Sequence, residues 1–261
     1  MSFATESTTV RRAPLCAAIL LLSAGLLAAS VAHAQKSGAH ANAAPHWTYS
    51  GESGPQHWGA VAAQFATCAG GKNQSPIDIE SMVEADLGPI IFHYKAGAAR
   101  HVINNGHTIQ ANFPAGNSIA IDGVLFELKQ VHFHAPSENH VAGRSFPMEG
   151  HLVHADANGN LAVLAVLYEL GANNAAIDQL WSNMPSEAGA SAALAAPVPA
   201  RSLLPSERDY YRYTGSLTTP PCSEGVRWLV MKQFVAVSSE QVKKFAGVLH
   251  EANNRPIQAS N

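Results

Sequence analysis

Charged residues are scarce in this 261-residue sequence. Asp, Glu, Lys and Arg make up 13% of it, and the formal net charge is -3. The chain therefore lacks the basic field that attracts nucleic acid or an anionic lipid surface. Hydrophobic residues make up 47%, which is enough for a substantial core. This balance predicts one globular domain whose function depends on a local site.

Cysteine is scarce too, and the first of the three cysteines lies in a segment that is predicted to be removed. Residues 1–34 have the pattern of a secretory signal peptide: Arg11 and Arg12 precede the apolar residues 15–27, and Ala32-His33-Ala34 matches an A-x-A cleavage site. A transmembrane anchor is the alternative, but a serine and a glycine interrupt the apolar run. We expect a periplasmic protein without membrane attachment after cleavage.

Cleavage would leave two cysteines, Cys68 and Cys222, in an oxidising compartment. A disulfide between them is the prediction, and two separate buried thiols are the alternative. Residues 35–45 are small and polar without periodicity, which indicates a flexible lead. The folded domain is expected to span residues 46–261.

Short β-strand signals dominate that domain. Apolar and polar residues alternate in several runs, and turn sequences such as Asn104-Asn105-Gly106 and Asp122-Gly123 separate them. The predicted strands cover residues 77–79, 90–94, 101–104, 108–113, 118–121, 124–134, 148–154 and 161–169. Residues 161–168 are apolar throughout, as expected for a central strand that is buried on both faces. A mainly β domain results, built on a large, mostly antiparallel sheet.

Few helices are predicted. One short helix is expected over residues 58–65 and another over residues 174–181. A third spans residues 238–249, where Ser238 and Gln241 have the spacing of a capping box. Residues 185–199 are rich in alanine and proline and are predicted to form a loop.

The strongest functional signal is a set of three histidines. Because side chains alternate along a strand, His132 and His134 project from the same face of the predicted strand 124–134. If the strand 148–154 pairs with it, His151 joins them. A lone histidine on a strand is more often a hydrogen-bonded core residue, but two buried imidazoles leave four ring nitrogens to satisfy. Three nitrogen ligands with an open fourth position are typical of catalytic zinc.

Polar neighbours on the same faces could orient these ligands. Gln130 lies two residues before His132, and Glu149 lies two residues before His151. Each can accept the free ring N–H of its histidine and thereby set the tautomer. A solvated polar residue on a strand is the alternative for both.

Three further residues are candidates for proton handling. Two prolines stiffen the sequence that follows Thr218 and Thr219, so the hydroxyl of Thr218 could be held in place, with Glu138 accepting its proton. His107 follows a turn and could move protons to buffer. Taken alone, the threonine motif is more often a loop, and a turn histidine is more often simply exposed.

Five segments together resemble the α-class carbonic anhydrases, in particular the compact bacterial periplasmic type. The resemblance runs from about His46 to the end of the chain. The segments are Trp47-Thr-Tyr-Ser-Gly through Gly54-Pro-Gln-His-Trp58, Asn73-Gln-Ser-Pro-Ile-Asp-Ile79, Gln130-Val-His-Phe-His-Ala-Pro-Ser-Glu138, Met148-Glu-Gly-His-Leu-Val-His154 and Tyr213-Thr-Gly-Ser-Leu-Thr-Thr-Pro-Pro221.

The resemblance implies the α-carbonic anhydrase fold and a zinc-dependent, reversible hydration of carbon dioxide to bicarbonate and a proton, by attack of zinc-bound hydroxide. It implies zinc ligation by His132, His134 and His151, orientation by Thr218 and Glu138, and a proton shuttle at His107. Tyr49, Asn105 and Gln110 would form the polar wall of the cavity. The implied substrate-binding residues are Thr218, Thr219, Val153, Val163, Leu217, Val226 and Trp228.

Other functions remain open at this point. The same ligands would serve a slow zinc esterase with a wider pocket, and a periplasmic zinc-binding protein without activity would need a closed fourth position. Asn139 and Asn73 depart from the family pattern, in which histidine and arginine respectively are common. Compact bacterial members often pair as homodimers, and carbon dioxide, water and bicarbonate are the expected small-molecule partners.

Overall fold

The computed structural model describes residues 45–80, 82–94 and 97–259. The predicted signal peptide and all of the predicted lead except Pro45 lie outside the described residues. No helix within the described ranges is long and apolar enough to cross a membrane.

One mixed sheet of eleven strands organises the described chain, and its longest path runs β10-β3-β4-β6-β8-β9-β12-β11. A separate two-stranded sheet pairs β1 with β7. The strands are β1 Asp78–Ile79, β2 Ile91–Phe92, β3 Ala99–Asn104, β4 Ile109–Asn112, β5 Ser118–Ile121, β6 Val124–His134, β7 His140–Val141, β8 Met148–Ala155, β9 Leu161–Leu170, β10 Ser191–Val198, β11 Tyr210–Ser216, β12 Glu224–Met231 and β13 Val235–Val237.

Most neighbouring strands are antiparallel, as predicted. The exceptions are the pairs β9–β12, β9–β13 and β1–β7, which are parallel. Asp122, at positive φ, and Gly123 form the tight turn between β5 and β6, which suits residues that tolerate a left-handed backbone. The mainly β prediction is therefore confirmed.

The strand β9 is buried on both faces, because two apolar clusters cover it. Leu164, Val166 and Tyr168 belong to the larger cluster on one face. Val163 and Leu167, which alternate with them, belong to a smaller cluster on the other face. A continuous apolar run is what such a position requires. The smaller cluster lies on the face that carries the histidines.

Four short helices of the described residues lie outside the sheet: α1 Trp58–Val61, α2 Thr67–Gly70, α3 Ala175–Trp181 and α4 Ser239–Leu249. The single helix predicted for residues 58–65 is instead α1 followed by a short 3-10 turn over Ala63–Phe65. Asn174 caps α3 with its side chain, and Ser238 and Gln241 form the predicted capping box of α4.

The loop prediction for residues 185–199 was wrong, because residues 191–198 form the edge strand β10, paired with β3. An edge strand tolerates proline, since its outward N–H groups need no partner. Pro197 lies where the register of β10 against β3 is interrupted, between Ala193 and Val198. Composition suggested a loop, and the free edge of β3 supplied the pairing.

Candidate metal centre

Three histidines converge because β6 and β8 are antiparallel neighbours. His132 lies directly opposite His151 in the register, and His134 is two residues further along β6. One ring nitrogen from each histidine lies within 4.8 Å of the other two. His134 and His151 are each 1% exposed. The sheet therefore places three imidazoles around one point, on the face that the smaller apolar cluster covers.

The pKa of each of these imidazoles is lowered, so all three are neutral at neutral pH. Burial is the largest cause for each of them. His134 and His151 lower the pKa of His132 further, because protonating one imidazole of the cluster disfavours protonation of its neighbours. Neutral imidazole is the form that binds a metal ion.

Each imidazole has an acceptor on the side away from the cluster. Gln130 Oε1 lies 2.9 Å from Nδ1 of His132, and Glu149 Oε1 lies 3.0 Å from Nε2 of His151. These are the two partners that strand alternation suggested. His151 consequently presents Nδ1 to the cluster, whereas His132 presents Nε2.

The acceptor for His134 comes from far along the sequence. The backbone carbonyl of Asn253 lies 2.6 Å from Nδ1 of His134. This contact was missed by the sequence prediction, since a backbone acceptor 119 residues away leaves no signal in the motif around His134.

The cluster fits a zinc ion. Nε2 of His134 is buried and has no hydrogen-bond partner among the described residues, and a buried nitrogen in that state is costly unless something binds it. Two carboxylates, Glu138 and Glu149, are also buried there. A divalent cation would satisfy the nitrogen and offset the negative charge. Three imidazoles are the ligand set of catalytic zinc.

Glu138 lies beside the ligands. Its Oε2 is 3.5 Å from Nε2 of His134 and 3.9 Å from Nδ1 of His151. Burial raises its pKa well above the usual range, and hydrogen bonds from the backbone of Arg255 and from Thr218 act against that rise.

The second carboxylate is held more firmly. Glu149 accepts the backbone N–H groups of Glu138 and Asn139 at 2.8 Å each, and the side-chain amide of Asn139 at 2.7 Å. Tyr213 in turn donates to Asn139 at 2.8 Å. Burial raises the pKa of Glu149, and the bonds from Asn139 lower it. Asn139 thus links Tyr213 to a ligand-orienting carboxylate.

Thr218 and Thr219 lie in a turn that a disulfide holds. The backbone N–H of Cys222 donates to the carbonyl of Thr219 at 2.9 Å. Cys222 is bonded to Cys68, with 5.0 Å between their Cα atoms, so the predicted disulfide is confirmed. Thr218 is buried, whereas Thr219 is half-buried.

The residues of the expected apolar wall share one cluster beside the histidines. Val163, Val226 and Trp228 are buried in it, and Val153 and Leu217 pack against it. The ring of Trp228 lies 4.9 Å from that of His151. An apolar surface therefore adjoins the ligand cluster.

The residues of the expected polar wall lie on the other flank. The side-chain amide of Asn105 donates to Gln110 at 3.3 Å, and Gln110 is opposite His132 in the register of β4 and β6. Tyr49 packs edge-on against His107, with 6.4 Å between ring centroids. His107 is half-buried rather than fully exposed on its turn. These four side chains lie near one another on the His132 side.

A buried three-histidine cluster with an apolar wall and a nearby hydroxyl–carboxylate pair defines a mononuclear zinc enzyme. The sequence model of the eukaryotic-type carbonic anhydrase family matches residues 53–261. The chain belongs to this family, the α-class carbonic anhydrases. Its activity is the zinc-dependent, reversible hydration of carbon dioxide.

Relatives match over most of the chain. A carbonic anhydrase of Klebsiella pneumoniae is 47% identical over 220 residues, which cover 84% of this chain and 89% of the relative. One from Neisseria gonorrhoeae is 44% identical and covers 96% of both chains. The structure of an α-carbonic anhydrase from Thermovibrio ammonificans with the inhibitor sulfanilamide has a TM-score of 0.82 and 48% identity, and covers 84% of this chain and 97% of that one.

Proposed function

We propose that carbon dioxide is hydrated beside His132, His134 and His151, with Thr218 and Glu138 orienting the nucleophile and His107 exporting the proton. One observation carries this proposal: Nε2 of His134, which has no hydrogen-bond partner in the described part of the chain, lies 3.5 Å from the buried carboxylate of Glu138. A buried nitrogen of this kind, beside two further imidazole nitrogens and a buried carboxylate, suits a bound cation.

Zinc bound by the three imidazoles would lower the pKa of its water ligand from about 15.7 to about 7, which supplies a nucleophile at neutral pH. Gln130, Glu149 and the carbonyl of Asn253 orient the imidazoles and set which ring nitrogen faces the metal. The hydroxyl of Thr218 would accept a hydrogen bond from the nucleophile, because its own O–H is directed to the carboxylate of Glu138 as a hydrogen-bond donor. A lone pair of the nucleophile is thereby directed at the substrate.

The remaining side chains would hold the substrate and the product. Carbon dioxide is nonpolar, so the apolar cluster around Val163 and Trp228 can accept it at little desolvation cost. Thr219, half-buried at the same turn, would contact bicarbonate. Tyr49, Asn105 and Gln110 would order the water through which His107 passes the proton.

Location and assembly are further parts of the proposal. The disulfide between Cys68 and Cys222 supports an extracytoplasmic location, and we propose that residues 1–34 are cleaved on export to the periplasm. Amino-terminal sequencing of the exported protein tests this, and a first residue other than one near Gln35 contradicts it.

Homodimerisation rests on the resemblance to compact bacterial members, and analytical ultracentrifugation of the mature chain tests it.

The decisive experiment combines a carbon dioxide hydration assay with a zinc count. We expect one zinc per chain and hydration well above the buffer rate, and we expect both to be lost in His151→Ala. His101→Ala, which changes an exposed histidine on β3, is the matched control and should keep both. Bound zinc with no more hydration than His151→Ala would refute the assignment.

A further inference from the structure

The residues that follow α4 make two contacts with the metal centre through backbone atoms. The carbonyl of Asn253 accepts from Nδ1 of His134 at 2.6 Å. Two residues later, the N–H of Arg255 donates to Oε1 of Glu138 at 2.9 Å. One contact fixes a zinc ligand, and the other fixes the carboxylate beside Thr218.

Regular secondary structure does not hold this segment in place. Residues 251–257 lie outside every described helix and strand, and their backbone makes no hydrogen bond to another backbone group within the described chain. A coil backbone without such bonds has many conformations, and fixing each residue has a cost in conformational entropy. Something else must therefore keep the two backbone atoms at the site.

The side chain of Asn253 is the first anchor. Its Oδ1 accepts the N–H of Ala135 at 2.9 Å, and its Nδ2 donates to the carbonyls of Phe133 at 2.9 Å and His107 at 3.1 Å. Asn253 is 1% exposed. Its side chain thus binds the backbone on both sides of His134 and also the backbone of His107, the proposed proton shuttle.

The side chain of Arg255 is the second anchor. Its guanidinium donates to the carbonyls of Cys68 and Ser75 and to Oε1 of Gln74, at 2.8–2.9 Å. Gln74 in turn donates to the carbonyl of Cys222. Both cysteines of the disulfide are therefore tied to the residue whose N–H holds Glu138.

We propose that Asn253 and Arg255 are positioning residues. The hydrogen bonds of their two side chains, called the clip below, keep the Asn253 carbonyl on His134 and the Arg255 N–H on Glu138. The proposal rests on zinc binding by the three histidines. Substituting either side chain keeps the Asn253 carbonyl and the Arg255 N–H in the chain but removes hydrogen bonds that hold them at the site. The substitution should therefore disturb the orientation of His134 and Glu138.

The test measures zinc dissociation into an excess of a coloured chelator for Asn253→Ala and Asn254→Ala. Asn254 is the matched control, because it is the next residue, is only half-buried and takes no part in the clip. We expect Asn253→Ala to release zinc about 10–100-fold faster than the wild type, as removal of groups that orient a ligand does. Asn254→Ala should stay within about twofold of the wild type on that same scale.

Melting temperature separates positioning from general stabilisation. If Asn253→Ala melts at a lower temperature but releases zinc at the rate of Asn254→Ala, the proposal is overturned. Zinc binding and hydration by Asn254→Ala would show in the same experiment that the proposed function itself stands. Arg255→Lys keeps the backbone and the charge but loses the guanidinium fork, and should accelerate zinc release in the same direction.

A measurement on the wild type covers the case in which neither variant folds. The N–H groups of Ala135 and Arg255 each depend on the clip, one directly and one through the anchored backbone. In native-state hydrogen exchange the two should therefore have similar protection, since they open together. Protection factors that differ by more than about tenfold would show that the clip does not act as one unit, and would overturn the proposal.

Discussion

His107 lies flat against Trp47, with 3.7 Å between the ring centroids and 7° between the ring planes. Burial lowers the pKa of His107, the charge of His46 lowers it further, and Glu251 opposes both. An imidazole with a pKa somewhat below its usual value releases a proton readily at neutral pH. The stack thus holds a suitable proton carrier beside the polar wall.

Substituting His107 should therefore slow proton export rather than hydration itself. We expect His107→Ala to lower turnover by about 10-fold to 100-fold in dilute buffer, and we expect added imidazole to restore it. Stopped-flow measurement of carbon dioxide hydration at several buffer concentrations checks this. His101→Ala should behave as the wild type, and a His107→Ala enzyme that responds to neither buffer nor imidazole removes His107 from the mechanism.

The hydroxyl of Thr218 is expected to matter for rate and not for zinc binding, because Thr218 lies beside Glu138 and is not among the ligands. Thr218→Val keeps the shape but removes the hydroxyl, and should lower kcat/KM by about 100-fold or more. Thr218→Ser keeps the hydroxyl and should retain most of the activity. Equal activity of the two variants, at equal zinc content, would contradict the orienting role.

His154 should make the fold sensitive to acid. It is buried on the opposite face of β8 from His151, with Tyr94 Oη 2.7 Å from its Nε2, and burial lowers its pKa to about 4. The unfolded chain binds this proton at its ordinary pKa of about 6.5. The contribution of neutral His154 to the free energy of unfolding is therefore fully present above about pH 6.5. It is lost as the pH decreases toward about 4, by about 3 kcal/mol in total.

Urea unfolding of the zinc-free protein across this pH range measures the effect, since the metal would otherwise add its own pH dependence. His154→Gln cannot take up the proton, so the difference in unfolding free energy between wild type and variant should narrow as the pH falls. A constant difference would show that His154 does not contribute to acid sensitivity.

The disulfide should stabilise the domain strongly, because it joins residues 154 positions apart. We expect the double variant Cys68→Ala/Cys222→Ala to lose about 2–5 kcal/mol of unfolding free energy. Urea titration with and without a reducing agent checks this. The reductant should destabilise the wild type and leave the double variant unchanged. Equal stability of oxidised and reduced wild type would contradict the prediction.

Much of the metal centre follows from local pattern. Alternation along β6 places His132 and His134 on one face. Gln130 and Glu149 each lie two residues before a histidine, so the strand alone puts each of them on the same face as that histidine. The capping box at Ser238 is equally local. The pairing of Cys68 with Cys222 could be predicted because removal of the predicted signal peptide would leave no other cysteine.

Other features depend on the whole fold. Residues 191–198 form a strand because β3 offers them an edge, although their own composition suggests a loop. The stack of Trp47 on His107 joins residues that have no common motif.

By itself, the sequence determined the three ligands, two of their orienting partners and the mainly β architecture, because the two-residue period of a strand acts over short distances. Only the tertiary structure decided what holds His134 and Glu138. Their partners, Asn253 and Arg255, lie 119 and 117 residues away and act through backbone atoms. Every residue carries a carbonyl and nearly every one an N–H, so only the folded chain selects which of them reaches the site.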